Sequence, residues 1–400
     1  MNKLFKVAII GGGASGLLAA TELLNGNDAF SGEDVVILER NERVGKKLIV
    51  TGNGQGNISN AEISAKNYSG DYAFISSYIK QLKTVDIVKY LEELGIITEK
   101  DETGRIYPVS RQANSVLDIL RAYLISKNCT FITDFKATAI RKNDNFEIQS
   151  ANGDRIRAKT VILAVGGKAG KQFGTDGTGY SLATAFSHKL TPLFPSLVQL
   201  KTEKEGIKGL KGIKHNATVS LYDGDEFIKQ ATGDLLFTDF GVSGNAVFKI
   251  SDKTQTLKNP VLKIDFTPQI AVNTLKEIIE NRQKQGFIGK QEILNGIVHK
   301  KLGERIVSSV GDDANTLANE VKNYSIKIVG TLGFDYAQVT KGGIDTKDIN
   351  PETYESKLQN GLYLTGEMLD VDGECGGYNL NFAFTSGIVA AKSVKNQYKK

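Results

Sequence analysis

The stretch KVAIIGGGASG, residues 6–16, decides the fold of this chain. Its apolar, largely β-branched residues 7–10 are typical of a buried strand, and the apolar-faced segment 17–24 is typical of a helix. Between them, Gly11, Gly13 and Gly16 form a GxGxxG turn. In such a turn the first glycine permits the bend, the second lets backbone N–H groups approach a pyrophosphate, and the third lets helix and strand pack closely. The order of strand, turn and helix predicts a Rossmann-type unit.

A carboxylate stands where the next strand is expected to end. The apolar run 34–38 predicts a strand, and Glu39 follows it about twenty residues after the glycines. An acidic side chain at this position accepts the ribose hydroxyls of an adenosine, and it would repel a 2′-phosphate. FAD or NAD therefore fits this turn better than NADP. The alternative is an ordinary glycine turn followed by an ordinary strand-end carboxylate.

Length, charge and cysteine content exclude several classes of protein. The 400 residues predict two or three domains, and the net charge of +5 is spread without a basic stripe, which argues against a dedicated nucleic-acid protein. Cys129 and Cys375 form no CxxC pair. A membrane-spanning helix would need a run of about twenty apolar residues, and the sequence contains no such run. We expect a soluble cytoplasmic protein without a signal peptide.

The three histidines show no metal-ligand spacing, so we predict no metal site. We interpret His188 as structural and His299 as solvent-exposed.

Changes of pattern along the chain predict an insertion. Apolar strands that end in glycine are expected at 160–167 and again at 361–367. Between them, alternating short segments in 217–267 predict an antiparallel barrel, and the apolar spacing in 269–323 predicts helices. We therefore expect a Rossmann-type domain of residues 1–190 and 331–400, a β-barrel-like domain of residues 191–268 with about 324–335, and a helical domain of residues 269–323.

A set of short motifs resembles one family of flavoproteins. The motifs are GGGASG (11–16), TGNGQGN (51–57), GRIYPVS (104–110), ILAVGG (162–167), GTDGTGYSLA (174–183), KGGID (341–345) and GEMLDVDGECGGYNL (366–380). Over nearly its full length the chain resembles the BaiN/YhiN-like flavoproteins, also called the aminoacetone oxidase family. The resemblance implies an α/β fold: a glutathione-reductase-like, Rossmann-type FAD-binding domain with inserted β-barrel and helical domains.

The resemblance also implies which residues contact FAD. The loop 51–57 is rich in Gly and Asn, which suits a backbone that wraps a ligand, although a flexible surface loop is the alternative. The implied residues are Gly11, Gly13, Ala14, Ser15, Gly16, Glu39, Arg40, Lys47, Thr51, Gly52, Asn53, Gly54, Asn57, Gly166, Gly366, Glu367, Asp370, Gly376, Gly377, Tyr378 and Asn379.

The catalytic residues stay unassigned, with Tyr378, Cys375 and Asp239 as candidates. Cys375 is either a small filler beside the cofactor or a redox group. Tyr378 either stacks near the flavin or only packs. Asp239 stands where family members often carry histidine, and it either binds a cationic amine or, as we favour, caps a turn. The family also often reads Gly-Arg-Cys-Asn where this chain has Gly-Gln-Gly-Asn at 54–57.

The last helix is expected to begin near Leu380, with Asn379 or Asn381 as its cap. We expect its N-terminus to point at the pyrimidine edge of the flavin, where its partial positive charge would stabilise the reduced form.

Three functions remain open. A second GxGxxG, typical of a dedicated nicotinamide domain, is missing, because GIKGLKG at 206–212 follows no buried strand. We therefore expect direct oxidation of a small substrate, with oxygen as the electron acceptor. The resemblance to the aminoacetone oxidase family implies that this substrate is a small, aminoacetone-like amine, so the expected function is an amine oxidase. The first alternative is an NAD(P)H-dependent reductase or dehydrogenase of the BaiN type, and the second is a flavin-bearing protein that binds RNA. A small molecule is the expected partner, without nucleic acid or membrane, and the oligomeric state is open.

Overall fold

The computed structural model describes residues 3–26 and 29–399 of the chain. It divides into two compact units. The first unit comprises Met1–Phe194 and Val339–Lys400, and the middle unit comprises Pro195–Gln338.

The first segment of the chain carries most elements of the first unit. Its strands are β1 (Leu4–Ile10), β2 (Val35–Leu38), β3 (Ser59–Asn60), β4 (Tyr68–Gly70), β5 (Thr98–Lys100), β6 (Arg105–Pro108), β7 (Thr130–Ile132), β8 (Ala137–Lys142), β9 (Phe146–Ser150) and β10 (Arg155–Leu163). Its helices are α1 (Ala14–Leu24), α2 (Tyr72–Gln81), α3 (Ile87–Glu93), α4 (Ala113–Ser126) and α5 (Tyr180–Thr184).

The remaining elements follow in chain order. After β11 (Phe194–Ser196), which spans the boundary, the strands of the middle unit are β12 (Leu200–Thr202), β13 (Lys214–Asp223), β14 (Glu226–Phe237), β15 (Gly241–Ser243), β16 (Pro260–Asp265) and β17 (Tyr324–Thr331). Its helices are α6 (Asn245–Ser251), α7 (Val272–Gln285), α8 (Lys300–Val310) and α9 (Ala314–Lys322). The chain then returns to the first unit with β18 (Val339–Lys341), β19 (Leu362–Leu364), β20 (Val371–Gly373) and α10 (Tyr378–Tyr398).

A mixed sheet forms the centre of the first unit. Its order is β7-β2-β1-β10-β9-β8, and β19 also pairs with β10. Strands β7, β2, β1, β10 and β19 are parallel, whereas β9 and β8 run antiparallel. The strand expected at 160–167 is the second half of the nine-residue β10, whose first half pairs with β9. One continuous strand thus joins the parallel sheet to the antiparallel meander.

Helices α1 and α10 pack together beside this sheet. A Cβ added at Gly387 would lie 2.3 Å from the backbone oxygen of Ser15, so the two helices approach closely at that point. Farther along, Lys395 Nζ lies 3.1 Å from Glu22 Oε1 and also donates to the backbone oxygens of Glu22 and Asn25, at 2.9 Å each. Both charged side chains are buried. Helix α10 therefore contacts α1 near both ends of α1.

The middle unit is built around a closed barrel of order β12-β15-β14-β13-β16-β17. Closure gives each barrel strand two hydrogen-bonded neighbours, which removes free edges. Helices α7, α8 and α9 share one hydrophobic core with the barrel, in which Phe266 on the barrel side and Leu275 on α7 are both buried. The expected fold, a Rossmann-type sheet with an inserted barrel, is confirmed. In the described residues of both units, no helix is long and apolar enough to cross a membrane.

Loss of the Lys395 ammonium should destabilise the first unit. Lys395→Met keeps helix propensity but leaves the Glu22 carboxylate buried without its cation, and breaking a buried pair in this way costs about 3 kcal/mol. Urea denaturation should therefore show a lower free energy of unfolding by about that amount. Lys392→Met on the exposed face of the same helix is the matched control and should change little. Equal midpoints and slopes for both variants would contradict the assigned role of the pair.

Candidate functional site

The predicted cofactor residues of the first unit gather at the carboxyl ends of its parallel strands. Gly11 follows β1, Glu39 follows β2, Gly166 lies beyond β10, and Gly366 lies beyond β19. In open α/β sheets, ligands bind in the crevice outside these strand ends. The sheet thus brings together residues that are far apart in the sequence.

The glycine turn presents backbone amides at the start of α1. A Cβ at Gly11, whose φ is +109°, would lie 2.3 Å from the Ala164 oxygen, and one at Gly16 would lie 2.0 Å from the Gly11 oxygen. A Cβ at Gly13 would meet nothing within 4 Å, which leaves room for a ligand before the helix. No side chain caps α1, and its first turn holds no acidic residue. A pyrophosphate fits here because free N–H groups and the helix dipole favour an anion.

Ala14 and Ser15 form the beginning of α1, and Ser15 connects it to the turn after β19. The Ser15 hydroxyl donates to Thr365 Oγ1 at 2.8 Å. The neighbouring Gly366 N–H donates to Ser386 Oγ on α10 at 2.9 Å. The two turns that the resemblance places against FAD are therefore held in fixed positions by buried hydroxyl groups.

Glu39 is oriented by three hydrogen bonds. Its Oε2 accepts from the N–H of Gly12 at 2.9 Å, and its Oε1 accepts from the backbone and side-chain nitrogens of Asn41 at 2.8 and 2.7 Å. The side chain is only 6% exposed. Because a carboxylate oxygen can accept more than one bond, Oε2 keeps acceptor capacity for a ribose hydroxyl. The Glu39 acceptor and the free amides of the glycine turn together fit the ribose and pyrophosphate of FAD.

Arg40 is held by an internal carboxylate. Its guanidinium makes a bidentate contact with Asp176, with N–O distances of 2.7 and 2.9 Å. Burial alone would raise the pKa of Asp176, but hydrogen bonds from Arg40 and Thr178 outweigh burial and hold that pKa well below its usual range. The GTDGTGY motif thus supplies the anchor for Arg40.

Lys47 and Glu367 form a second ion pair. Glu367 also bonds to Thr340, a residue that the sequence did not lead us to predict. Lys47 Nζ lies 2.6 Å from Glu367 Oε2, and Glu367 Oε1 accepts from the N–H of Thr340 at 3.0 Å. The Thr340 hydroxyl oxygen accepts from the amides of Lys168 and Ala169, at 2.7 and 2.8 Å. Thr340 therefore fixes the turn after β10, and the only signal for it was its position directly before the KGGID motif.

The loop 51–57 follows a left-handed path. Gly52, Asn53 and Gly54 have φ values of +58°, +57° and +84°. The Thr51 hydroxyl donates to the Leu48 oxygen at 2.7 Å, which closes the turn before them. Gly52 and Asn53 are exposed, so their backbone is open to a ligand.

Two asparagines, at the end of this loop and just beyond it, attach it to the turn before α10. With its amide oriented to satisfy both partners, Asn57 accepts from the N–H of Gly377 and donates to the oxygen of Ser59, each at 3.0 Å. Asn60 Nδ2 donates to the oxygen of Gly376 at 2.9 Å. The structure thus brings together two predicted FAD contacts that lie more than three hundred residues apart.

The expected caps of α10 are wrong. The helix begins at Tyr378 after Gly377, whose φ is +97°, and no side chain caps it. Asn379 instead accepts from the N–H of Gly373 at 2.8 Å and donates to its oxygen at 2.6 Å, while Asn381 donates to Ser59 Oγ at 2.8 Å. The first turn of α10 therefore keeps open amides, as α1 does.

Tyr378 lies partly buried at this helix start. Its ring packs edge to face on Tyr68, with ring centres 6.0 Å apart. Burial, and then the nearby Glu374 and Glu62 carboxylates, raises the pKa of the Tyr378 hydroxyl, so it stays protonated at neutral pH. Cys375, also nearby, is partly buried and takes part in no disulfide.

Asp370 is the last predicted contact on this side of the sheet. Burial raises the pKa of its carboxyl, a hydrogen bond from Thr191 opposes that rise, and the neighbouring Asp345 adds to it.

Asp239, in the middle unit, does not act as the expected cap. The turn between β14 and β15 is closed by Thr238, whose hydroxyl donates to the oxygen of Gly241 at 3.0 Å and accepts from its N–H at 3.2 Å. Asp239 instead forms an exposed ion pair with Lys211. Our interpretation of Asp239 as a turn cap is therefore wrong.

His188 lies in the first unit and His299 in the middle unit. His188 is buried, bonds through Nε2 to Ser356 Oγ at 2.8 Å, and has its pKa lowered by burial. His299 is exposed before α8. Among residues 3–26 and 29–399, no group of three or more His, Cys, Asp or Glu side chains is arranged to hold a metal ion.

The open helix N-termini and the Glu39 carboxylate at the strand ends are typical of Rossmann-type proteins that bind a dinucleotide. A family model described as the HI0933-like protein Rossmann domain matches residues 5–393. The chain belongs to this family, and it is an FAD-dependent oxidoreductase.

Two curated relatives are similar to this chain in sequence, and one solved structure is similar to it in fold. A 3-dehydro-bile acid delta(4,6)-reductase from Clostridium scindens is 36% identical over 97% of this chain and 98% of its own length. A ribosomal RNA dihydrouridine synthase from Haemophilus influenzae is 30% identical over 99% of this chain and 100% of its own. The 3-ketosteroid-delta4-(5alpha)-dehydrogenase of Rhodococcus jostii RHA1 has a similar fold, with a TM-score of 0.53, 15% identity, and coverage of 99% of this chain and 98% of that one.

Removal of the Glu39 carboxylate should weaken FAD binding. Glu39→Ala deletes a charged acceptor of hydrogen bonds, which is worth about 1–3 kcal/mol. Titration of the apoprotein with FAD, followed by quenching of flavin fluorescence, should show that loss in the dissociation constant. Glu42→Ala removes an exposed carboxylate three residues away, which lies 3.4 Å from Lys46 Nζ, and serves as the control. An unchanged constant for Glu39→Ala would remove this residue from the site.

Proposed function

We propose that this chain is a BaiN-type reductase that adds hydrogen across a carbon–carbon double bond conjugated to a carbonyl group. The observation that carries the proposal is the 36% identity to a delta(4,6)-reductase along almost the whole of both chains. A dihydrouridine differs from uridine by two hydrogens on a ring double bond next to a carbonyl, so the name of the second relative describes the same class of reaction. The proposed electron donor is NADH or NADPH.

The residues of the first unit have defined roles in this proposal. Reduced FAD supplies a hydride when bound. The amides at the start of α1 and the Glu39 carboxylate hold its pyrophosphate and ribose, and the open N-terminus of α10 favours the negative charge of the reduced form. Tyr378 is the candidate proton source, because its hydroxyl stays protonated at neutral pH and the residue is partly exposed at that helix start. Hydride and proton together complete the addition of two hydrogens.

The oxidase of a small amine, expected from the sequence, has less support. One of the two roles considered for Asp239 was the binding of a cationic amine. The Asp239 carboxylate forms an exposed ion pair with the ammonium of Lys211, so a substrate amine would have to compete with that cation. Neither of the two curated relatives reported above is named an oxidase.

Anaerobic stopped-flow absorbance distinguishes the two functions. We expect NADH or NADPH to bleach the flavin of the holoprotein with saturable, rapid kinetics, and a conjugated enone such as cyclohexenone to restore its absorbance without oxygen. Small amines should leave the flavin oxidised. Bleaching by an amine, without bleaching by either nicotinamide, would replace the reductase with the oxidase.

The same instrument tests Tyr378. Tyr378→Phe should slow recovery of the oxidised absorbance by the enone about a hundredfold, since general acid catalysis contributes at least that factor, and should leave bleaching by the nicotinamide unchanged. Tyr72→Phe is the matched control because Tyr72 is 75% exposed. Recovery at the wild-type rate in Tyr378→Phe would assign the proton to another donor.

RNA is the second candidate substrate, because a relative at 30% identity is named a ribosomal RNA dihydrouridine synthase. The modest net charge of +5 favours a small molecule instead. Filter binding of ribosomal RNA across a salt series should show no retention at physiological ionic strength. Tight retention that falls steeply with salt would move the proposal to RNA, since phosphate contacts produce that slope.

A further inference from the structure

A chain of buried polar side chains lies beneath the start of α10. The hydroxyls of Tyr68 and Tyr78 are 2.9 Å apart, and the Tyr78 hydroxyl is 2.7 Å from the side-chain oxygen of Asn381. Asn381 Nδ2 lies 2.8 Å from Ser59 Oγ. At the other end, the Tyr68 hydroxyl donates to the backbone oxygen of Tyr378 at 3.0 Å. All four linked side chains are at least nine-tenths buried.

We propose that this network of hydrogen bonds positions the start of α10 relative to the loop 51–57, both of which are expected to contact FAD. It joins β3, which follows the loop 51–57, to the first turn of α10. Tyr68, Tyr78 and Asn381 are thus positioning residues: they set the place of Gly377 and Tyr378 relative to the loop and do not themselves contact FAD. The proposal rests on FAD as the cofactor and holds for any of the substrates discussed above.

The outer contacts of this network have defined donors. The Tyr68 hydroxyl donates to the Tyr378 oxygen, the Tyr78 hydroxyl donates to Asn381 Oδ1, and Asn381 Nδ2 donates to Ser59 Oγ. The two tyrosine hydroxyls lie 2.9 Å apart and connect these outer contacts. Each tyrosine has one hydroxyl proton, so the contact between the rings shares a proton with one of the outer contacts. Such chains strengthen each member by polarisation, so loss of one hydroxyl weakens the whole connection.

Packing alone does not account for these hydroxyl groups. The Tyr78 ring makes edge-to-face contacts with Tyr68 and Phe382, with ring centres 5.2 and 5.1 Å apart, and a phenylalanine would keep both. Buried polar groups offer little stability over an apolar core of the same shape, but they specify one packing arrangement of the surrounding elements. Here that arrangement brings together two predicted FAD-contacting segments, the loop 51–57 and the start of α10.

Three tyrosine-to-phenylalanine variants separate positioning from stability. Tyr78→Phe and Tyr68→Phe break the connection to α10. Tyr354→Phe is the matched control: Tyr354 is equally buried and packs on the same Phe382 ring, but its hydroxyl donates to Gln81 at 3.2 Å, outside the chain. Each variant is measured for its urea midpoint, for the dissociation constant of FAD from the apoprotein, and for the midpoint potential of the bound flavin.

All three variants should lose similar stability, since each loses one buried hydroxyl. Only Tyr78→Phe and Tyr68→Phe should raise the FAD dissociation constant, by about two- to tenfold, which is the worth of one net hydrogen bond. Their flavin potential should also fall, because a displaced helix N-terminus stabilises the reduced form less. Unchanged FAD affinity and potential in both variants would make the chain purely structural. Equal shifts in Tyr354→Phe would show general loosening and would also overturn the proposal.

Discussion

Backbone touching backbone at Gly11 and Gly16 is the contact on which the first unit depends. The end of β1, the turn and the start of α1 are so close that a methyl group at either position would overlap a carbonyl oxygen. This closeness aims the free amides of α1 at the strand ends, where Glu39, the turn after β10 and the turn after β19 also lie. Glu39 and the turns after β10 and β19 therefore lie around the glycine turn between β1 and α1.

The sequence predicted those parts of the fold whose signal is local. The apolar runs of β1, β2 and β10, the glycines between β1 and α1, and the alternating segments of the barrel each carry their own pattern. The contacts that hold the site together carry none, because their partners are distant in sequence. Nothing in the sequence marks Thr340 as a partner of the Lys168 amide, or Asn57 as a partner of the Gly377 amide, before the fold places them side by side.

The wrong predictions have the same physical origin. An asparagine near a helix start is a good cap in isolation, yet Asn379 and Asn381 face better partners elsewhere, in Gly373 and Ser59. Asp239 was expected to close a turn that the neighbouring Thr238 closes. Local propensity indicates which side chains are able to form a hydrogen bond. Tertiary packing decides which of several available partners each side chain bonds to. The result at α10 is an uncapped helix start, which a ligand can use.

The middle unit begins and ends on adjacent barrel strands, since β12 pairs with β17 and Leu200 lies opposite Thr331. Because its two ends are neighbours, the insertion is equivalent to a long loop in the chain of the first unit. The entropic cost of closing a loop grows only slowly with its length. The insertion can lengthen, shorten or exchange surface features without straining the Rossmann sheet. Evolution can therefore vary this inserted cassette independently of the Rossmann sheet.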